Sequence, residues 1–299
     1  MKPRDELIVD LLTLAFAEDV GDGDATTLST IPADETGRQQ LIVKEEGILA
    51  GVEIARKVFD KFDPSLKMEV FIGDGARVRP GDVAFVVEGP VRSLLQTERI
   101  MLNIMQRMSG VATMTARYQD RLKGLHTKVL DTRKTTPGMR LLEKEAVKIG
   151  GGSNHRIGLF DMILIKDNHV DFAGGIPQAV QAAKEWCRAN GKDLAIEQEV
   201  RNTAEIDQAL AAGVDRIMLD NFTPERTREA VEHIRAYKAD PADLASDPHK
   251  HDGKDVEIES SGGITLDTLR AYGECGVDFI SVGALTHSVK GLDMSFKAC

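Results

Sequence analysis

The rhythm of hydrophobic and polar positions changes near residue 110. At the start, Leu7, Leu11, Leu14 and Ala15 recur at helical spacing within an apolar run from Leu7 to Ala17. Lys2 and Arg4 before that run, and Ala15-Phe16-Ala17 within it, imitate a secretory leader. Asp10 interrupts the run, however, and the spacing predicts an amphipathic first helix instead. Glu18-Asp19-Val20-Gly21-Asp22-Gly23-Asp24 reads as a loop. Three β-like runs follow, Gln40–Lys44, Lys67–Phe71 and Val83–Glu88, the last two separated by tight-turn signals at Gly73-Asp74-Gly75 and Pro80-Gly81-Asp82. Helical patterns cover Val52–Phe62 and about Ser93–Met108. Residues 1–110 are therefore expected to form a small, sandwich-like α+β domain.

From Thr127 onward one pattern repeats: a short apolar strand, polar residues at its end, then a helix. The strands are Val129-Leu130, Met162–Ile165, Leu194–Ile196, Arg216–Leu219, Val256–Ile258 and Phe279–Val282. These make six βα units in about 170 residues, whereas a full eightfold barrel takes roughly 250. Residues 111–299 are expected to form a short β/α barrel of about six units, with the last residues free to pack back on the first domain. An open doubly wound sheet is the alternative. Tyr237–Asp255 breaks the rhythm with Pro241, Pro248 and His249-Lys250-His251. It reads as a mobile surface loop, its histidines solvated rather than metal-binding.

Composition narrows the function. The net charge of -10 and the absence of a basic stripe exclude a general nucleic-acid binder. Any anion site must be a local focus of cations, which favours small anions able to enter a cleft. Cys187, Cys275 and Cys299 are few and far apart, without a CxxC. That argues against a disulfide framework or a zinc site and suits a reducing compartment, here expected to be the cytoplasm. No run approaches the ~18 apolar residues of a membrane span.

In a parallel β/α fold the strand C-termini build the active site. Here they carry three chemical groups. Arg133, Lys134, His155, Arg156 and Lys166 are cations that suit carboxylates or phosphates. Any one alone would read as a surface salt bridge, but five at strand ends point to a shared ligand. Glu199 and Asp220, with Glu197 a weaker member, could hold Mg²⁺ together with substrate phosphates or bind sugar hydroxyls. Glu197 and Glu199 share a strand face, so one of them can serve merely as support, and a buried pair to a barrel lysine is the structural alternative. Ser261-Gly262-Gly263 and Gly283-Ala284 lie on the last two units, where barrels often bind phosphate on backbone N–H groups.

These residues, in this order, resemble the quinolinate phosphoribosyltransferase family, also called nicotinate-nucleotide pyrophosphorylase (carboxylating). The resemblance rests on Asp131-Thr132-Arg133-Lys134-Thr135-Thr136-Pro137-Gly138, Gly150-Gly151-Gly152-Ser153-Asn154-His155-Arg156 and Ile165-Lys166-Asp167-Asn168-His169. Met218-Leu219-Asp220-Asn221, Ser261-Gly262-Gly263-Ile264 and Ser281–Ser288 extend it, as do Glu18–Asp24 and Glu98–Gly110, so that it covers nearly the whole chain. It implies a type II phosphoribosyltransferase fold, an α/β domain followed by the six-unit barrel. It also implies transfer of phosphoribosyl from phosphoribosyl pyrophosphate to quinolinate. The products would be nicotinate mononucleotide, CO₂ and pyrophosphate, a step of NAD biosynthesis. By motif, quinolinate would lie on Arg99, Arg133, His155, Arg156 and Lys166, with Arg99 supplied by the neighbouring subunit of a homodimer. Lys134, Glu199 and Asp220 would serve the phosphoribosyl pyrophosphate and its Mg²⁺. Its phosphate would lie on Ser261, Gly262, Gly263, Gly283, Ala284 and His287.

Three departures stand out: Gln198 where the family has an apolar residue, Ser260 in place of alanine, and a longer segment at Tyr237–Asp255. None removes a group the chemistry needs. A relative acting on nicotinate would need fewer cations. A molybdenum-transport-associated relative would depart near Lys166-Asp167-Asn168-His169, which is intact. A non-catalytic binder of a phosphorylated metabolite would not need Glu199 and Asp220 beside the cations.

Overall fold

The computed structural model describes residues 2–299. In chain order the first elements are α1 (Arg4–Asp19), α2 (Ala25–Thr30), β1 (Thr36–Val43), β2 (Gly47–Ile48), α3 (Val52–Phe62), β3 (Lys67–Val70), β4 (Arg77–Val78), β5 (Val83–Pro90) and α4 (Val91–Arg121). Next come β6 (Lys128–Leu130), α5 (Arg140–Ile149), β7 (Ile163–Ile165), α6 (Asp167–Ala173), α7 (Ile176–Ala189), β8 (Ile196–Val200), α8 (Thr203–Ala212) and β9 (Arg216–Asp220). The chain ends with α9 (Pro224–Ala236), α10 (Pro241–Ser246), β10 (Glu257–Ser261), α11 (Leu269–Gly273), β11 (Phe279–Ser281), α12 (Ala284–His287) and β12 (Met294–Ala298). Two compact units result, and they interleave. Lys134–Gly152 and Ala284–Cys299 lie with the first unit, which otherwise runs to Ala116, although the sequence pattern changes near residue 110.

The first unit is built on an antiparallel sheet of order β12-β1-β5-β3. Alternation in β1 buries Gln39, Leu41 and Val43 on one face, and Leu41 pairs with Phe296 of β12. The final strand is thus an edge of the first unit's sheet. Helix α3 buries Val52, Ile54, Ala55, Val58 and Phe59, a single stripe at helical spacing. Phe59 meets Phe85 and Phe296 at ring-centroid separations of 6.3 and 6.1 Å, within the range where aromatic pairs attract.

Two local differences from the sequence reading have clear causes. Glu18 and Asp19, expected in the loop, end α1, and α2 follows closely because the Asp24 carboxylate accepts the Thr26 and Thr27 amides as an N-cap. Helix α4 runs on to Arg121, well past the expected end at Met108. Gly110 sits inside that helix, where a Cβ would strike the Lys290 carbonyl, so the glycine answers a close backbone approach.

The second unit, Arg117–Arg133 with Ser153–Gly283, holds six parallel strands in the order β6-β11-β10-β9-β8-β7. Ser153 forms a further parallel bridge to Leu130 on the outer edge of β6. Strands β8 and β10 extend further toward the C-terminus than the apolar pattern implied: Glu197, Glu199, Glu259 and Ser261 lie inside strands, not after them. An apolar run ends at its first charged residue, but the strands do not, because their inward row is polar. The outward row packs on helices through Val180, Ile206, Ala209, Leu210 and Ile234, all buried.

The segment 237–255 is not the solvated loop expected. It contains α10 and is tied to the unit by polar contacts. His249 Nδ1 and His251 Nε2 both lie on the Asp215 carboxylate, at 2.7 and 3.0 Å. Lys184 Nζ, nearly buried, donates to Asp247 Oδ2 at 2.5 Å and to the Ala212 carbonyl at 2.7 Å. Burial works against the Asp247 carboxylate, yet the Lys184 hydrogen bond and the His249 amide outweigh it and hold its pKa below the usual value. A lowered folded-state pKa means stability that is present above the ordinary carboxylate range and is lost as pH falls through it. Asp247→Asn is therefore expected to cost roughly 1–3 kcal/mol at neutral pH, with the deficit shrinking in acid. Denaturant midpoints of both proteins at several pH values check this.

No helix among the described residues is long and apolar enough to cross a membrane. All three cysteines are free.

Candidate active site

Strand alternation stacks two polar rows inside the six-stranded sheet. The lower row is Glu197 of β8, Glu259 of β10 and Arg216 of β9, joined by His155 from the chain between β6 and β7. Convergence of side chains from these separate strands requires the sheet to curl into a barrel. His155 Nε2 lies 2.9 Å from Glu197 Oε2 and 3.5 Å from Glu259 Oε2, and Arg216 Nη1 lies 3.3 Å from Glu259 Oε2. Both glutamates are fully buried, and burial drives both carboxyls upward in pKa, with Arg216 pulling the other way. Burial and, for Glu259, the neighbouring Glu197 charge disfavour ionising both carboxyls together.

A histidine and two carboxylates within ligand range of one another raise the question of an ion. The hydrogen bonding argues against it. His155 Nδ1 accepts the Arg156 amide at 2.7 Å, so the ring proton sits on Nε2, the atom that faces the glutamates. A cation there would have to displace it. Glu197 pairs with a histidine and shares its pocket with Arg216, and the pair to a barrel lysine that stood as the structural alternative for these acids forms at Glu199, with Lys166. His155 itself is buried, with Nδ1 taking the Arg156 amide, Nε2 at ion-pair distance from Glu197, and its own amide held by Asp131 Oδ1 at 2.9 Å. Its ring faces the barrel interior, whereas the other expected quinolinate cations of this unit lie nearer solvent.

The upper row opens toward solvent at the strand ends. Lys166 Nζ donates to Glu199 Oε2 at 3.1 Å, with Lys166 about half exposed and Glu199 largely covered. Arg133 is exposed, and Arg156, partly buried, donates to the Met162 carbonyl at 3.3 Å. Burial and the Arg133 charge together hold the Arg156 guanidinium below its usual pKa. Two guanidiniums that repel one another are placed where an anion would relieve both.

Asp220, at the end of β9, accepts from Asn221 Nδ2 at 2.7 Å. Asn221 adopts φ 55°, in the left-handed region, and its amide reaches the Ser261 carbonyl at 2.9 Å. Gly262 is obligatory beside it: a Cβ there would collide with the Asn221 side chain and approach its backbone N. Gly263, at φ 61°, faces open space. This turn leaves a concave backbone surface of the kind that receives phosphate. Gly283 closes the unit. Gln198 and Ser260, the two departures within strands, lie between inward residues and so point to the outer face, away from these rows.

The remaining expected residues belong to the first unit. Arg99 is exposed on α4. Lys134 is exposed, and its carbonyl accepts from Thr286 Oγ1 at 2.9 Å. Ala284 and His287 lie on α12, with His287 Nδ1 2.6 Å from Ser288 Oγ.

Sequence reasoning did not single out Glu259, Arg216, Arg107 or Glu143. The first two follow period-two alternation from Ser261 and from Asp220 once the strands are given their full length. Arg107 and Glu143 carry no local signal, since they meet only through the fold.

A parallel β/α barrel with clustered cations, paired hard oxygens and a glycine cradle at its strand ends defines a protein that handles small carboxylated or phosphorylated molecules. Comparison with known proteins sharpens that class. Residues 24–109 match the family model for the quinolinate phosphoribosyl transferase N-terminal domain, and residues 111–297 match its C-terminal domain. A quinolinate phosphoribosyltransferase [decarboxylating] of Nicotiana tabacum is 42% identical over 96% of this chain and 81% of its own. A probable nicotinate-nucleotide pyrophosphorylase [carboxylating] of Bacillus subtilis is 41% identical over 95% of this chain and 91% of its own. The solved nicotinate-nucleotide pyrophosphorylase of Francisella tularensis superposes with a TM-score of 0.88 at 38% identity, covering 100% of this chain and 98% of that one. The chain belongs to the quinolinate phosphoribosyltransferase family.

Proposed function

We propose that this chain transfers phosphoribosyl from phosphoribosyl pyrophosphate to quinolinate with loss of CO₂, giving nicotinate mononucleotide and pyrophosphate in de novo NAD biosynthesis. It would thus be a pentosyltransferase. Family membership supports the reading, and one structural observation carries it: Arg133 and Arg156 are set close enough to repel, with Lys166 at the end of β7 in the same unit, in an acidic chain. Quinolinate presents two carboxylates, which answer more than one cation. Nicotinate presents one.

In this reading Arg133, Arg156 and Lys166 bind and orient the two carboxylates, joined by Arg99 from a partner subunit. His155 is held by Glu197 and fixes the Arg156 backbone through its Nδ1. The quinolinate nitrogen then displaces pyrophosphate at ribose C1, and the resulting ring cation stabilises the charge left when the adjacent carboxylate departs. The reaction requires no protein nucleophile. Lys134 stabilises the leaving pyrophosphate, and Ser261, Gly262, Gly263, Gly283, Ala284 and His287 receive the ribose phosphate.

Glu199 and Asp220 fit a Mg²⁺ ion by their chemistry, as hard carboxylate oxygens at adjacent strand ends. Two protein ligands suit an ion that keeps waters and substrate phosphates in its shell. When bound, it would neutralise charge on the pyrophosphate. The working form is proposed to be a homodimer, or a larger assembly of dimers, in the cytoplasm.

The test is direct. With Mg²⁺ and phosphoribosyl pyrophosphate, the purified protein should release CO₂ from carboxyl-labelled quinolinate and form nicotinate mononucleotide, and it should not consume nicotinate. Turnover of nicotinate at a comparable rate would overturn the assignment.

A further inference from the structure

We infer that Arg107 is a positioning residue for phosphoribosyl pyrophosphate, because it fastens together the two chain segments that carry Lys134, proposed to meet the pyrophosphate, and His287, proposed to meet the ribose phosphate. The inference rests on the proposed phosphoribosyl transfer.

Arg107 lies on α4 in the first unit, with its side chain 24% exposed. Nε and Nη2 both donate to Glu143 Oε1, at 2.9 and 2.8 Å. Nη1 donates to the Val289 carbonyl at 3.2 Å, and Nη2 also reaches the Thr286 carbonyl. Glu143, fully buried on α5, uses its other oxygen to accept the Thr136 amide at 3.1 Å. Thr286 Oγ1 closes the circuit by donating to the Lys134 carbonyl at 2.9 Å.

One guanidinium thus governs two stretches. Through Glu143 it holds Thr136, two residues after Lys134. Through two carbonyls it holds Thr286 and Val289, which flank His287 and Ser288. Lys134, Thr136, Pro137 and Gly138 are exposed, as are His287 and Ser288, so apolar burial does little to fix them. The polar circuit ties both stretches to α4 and α5. A lysine could keep the charge but not the fork that meets one carboxylate oxygen twice and two carbonyls besides. The quinolinate residues Arg133, Arg156 and Lys166 lie in the other unit.

The circuit therefore separates the two substrates. Arg107→Gln should raise KM for phosphoribosyl pyrophosphate about 10- to 100-fold, the scale of misplacing a charged contact by an ångström or so. The Kd for inorganic pyrophosphate, measured by calorimetry, should rise by a similar factor. The Kd for quinolinate, measured without phosphoribosyl pyrophosphate, should change by less than about threefold. Arg107→Lys should recover part of the loss. Removing Arg107 leaves the Glu143 charge buried and uncompensated, which can unfold the protein. Thr286→Val then carries the test, since it removes the hydroxyl that donates to the Lys134 carbonyl and leaves the Arg107–Glu143 pair in place. It should shift the pyrophosphate Kd in the same direction by a smaller factor. Folded variants that keep pyrophosphate affinity within about twofold overturn the inference, and so do variants that lose both ligands equally. An inactive wild type would overturn the functional reading instead, while the pyrophosphate affinities would still decide the role of Arg107.

Discussion

Replacing Arg133, Arg156 or Lys166 by alanine is expected to lower kcat/KM by about 10²–10³-fold each, the scale of losing one preorganised electrostatic contact. Their surroundings say why the loss should fall on function and not on folding. Arg133 is exposed, and removing it relieves the repulsion on Arg156. Arg156 gives up one bond to the Met162 carbonyl, at 3.3 Å. Lys166 gives up its pair with Glu199, but it is half exposed, and such pairs contribute little to stability. Melting temperatures should therefore stay within a few degrees of wild type. Arg156→Lys is the informative companion, since it keeps the charge and removes the planar fork, and it should recover only part of the activity. If all three alanine variants keep near wild-type kcat/KM, the quinolinate site lies elsewhere.

The residues that meet solvent at strand ends were the legible ones, for a physical reason. Polar groups at the C-termini of parallel strands serve no packing purpose, so Arg133, Lys166, Glu199, Asp220 and Ser261-Gly262-Gly263 stand out against an apolar run. The interior row was harder to see. Glu259 reads as the end of a strand only if charge is assumed to stay outside a barrel, and here Arg216 and His155 meet it inside. His155 was legible as chemistry but not as geometry. Its sequence neighbours Asn154 and Arg156 point to a ligand, whereas Glu197, which captures its ring, lies 42 residues on in the chain. The 237–255 segment misled because proline, aspartate and histidine favour loops locally. Nothing local records that Asp215 and Lys184 wait to receive it. Helix α4 differs in the opposite sense, running on to Arg121 through Gly110, whose lack of a Cβ admits the Lys290 carbonyl.

A mixture of two inactive proteins is expected to regain about a quarter of wild-type activity, and that result would establish the shared site. Arg99 is exposed on α4 of the first unit, where it makes no bond among the described contacts, and Lys134 is exposed in the same unit. In the proposed twofold dimer each site takes its barrel and Lys134 from one chain and its Arg99 from the other. Arg99→Ala alone and Lys134→Ala alone should then both be nearly inactive. Equal amounts of the two, unfolded together and refolded, pair at random, so half of the dimers are mixed. In each mixed dimer one site carries both defects and the other carries neither. One intact site in half of the dimers is a quarter of all sites. If Arg99 served its own chain's barrel, every site would carry one defect and nothing would return. Refolded wild type sets the yield, and differential tags on the two variants count the mixed dimers. Mixed dimers present at the expected level with activity no higher than the single variants would remove Arg99 from the partner's site.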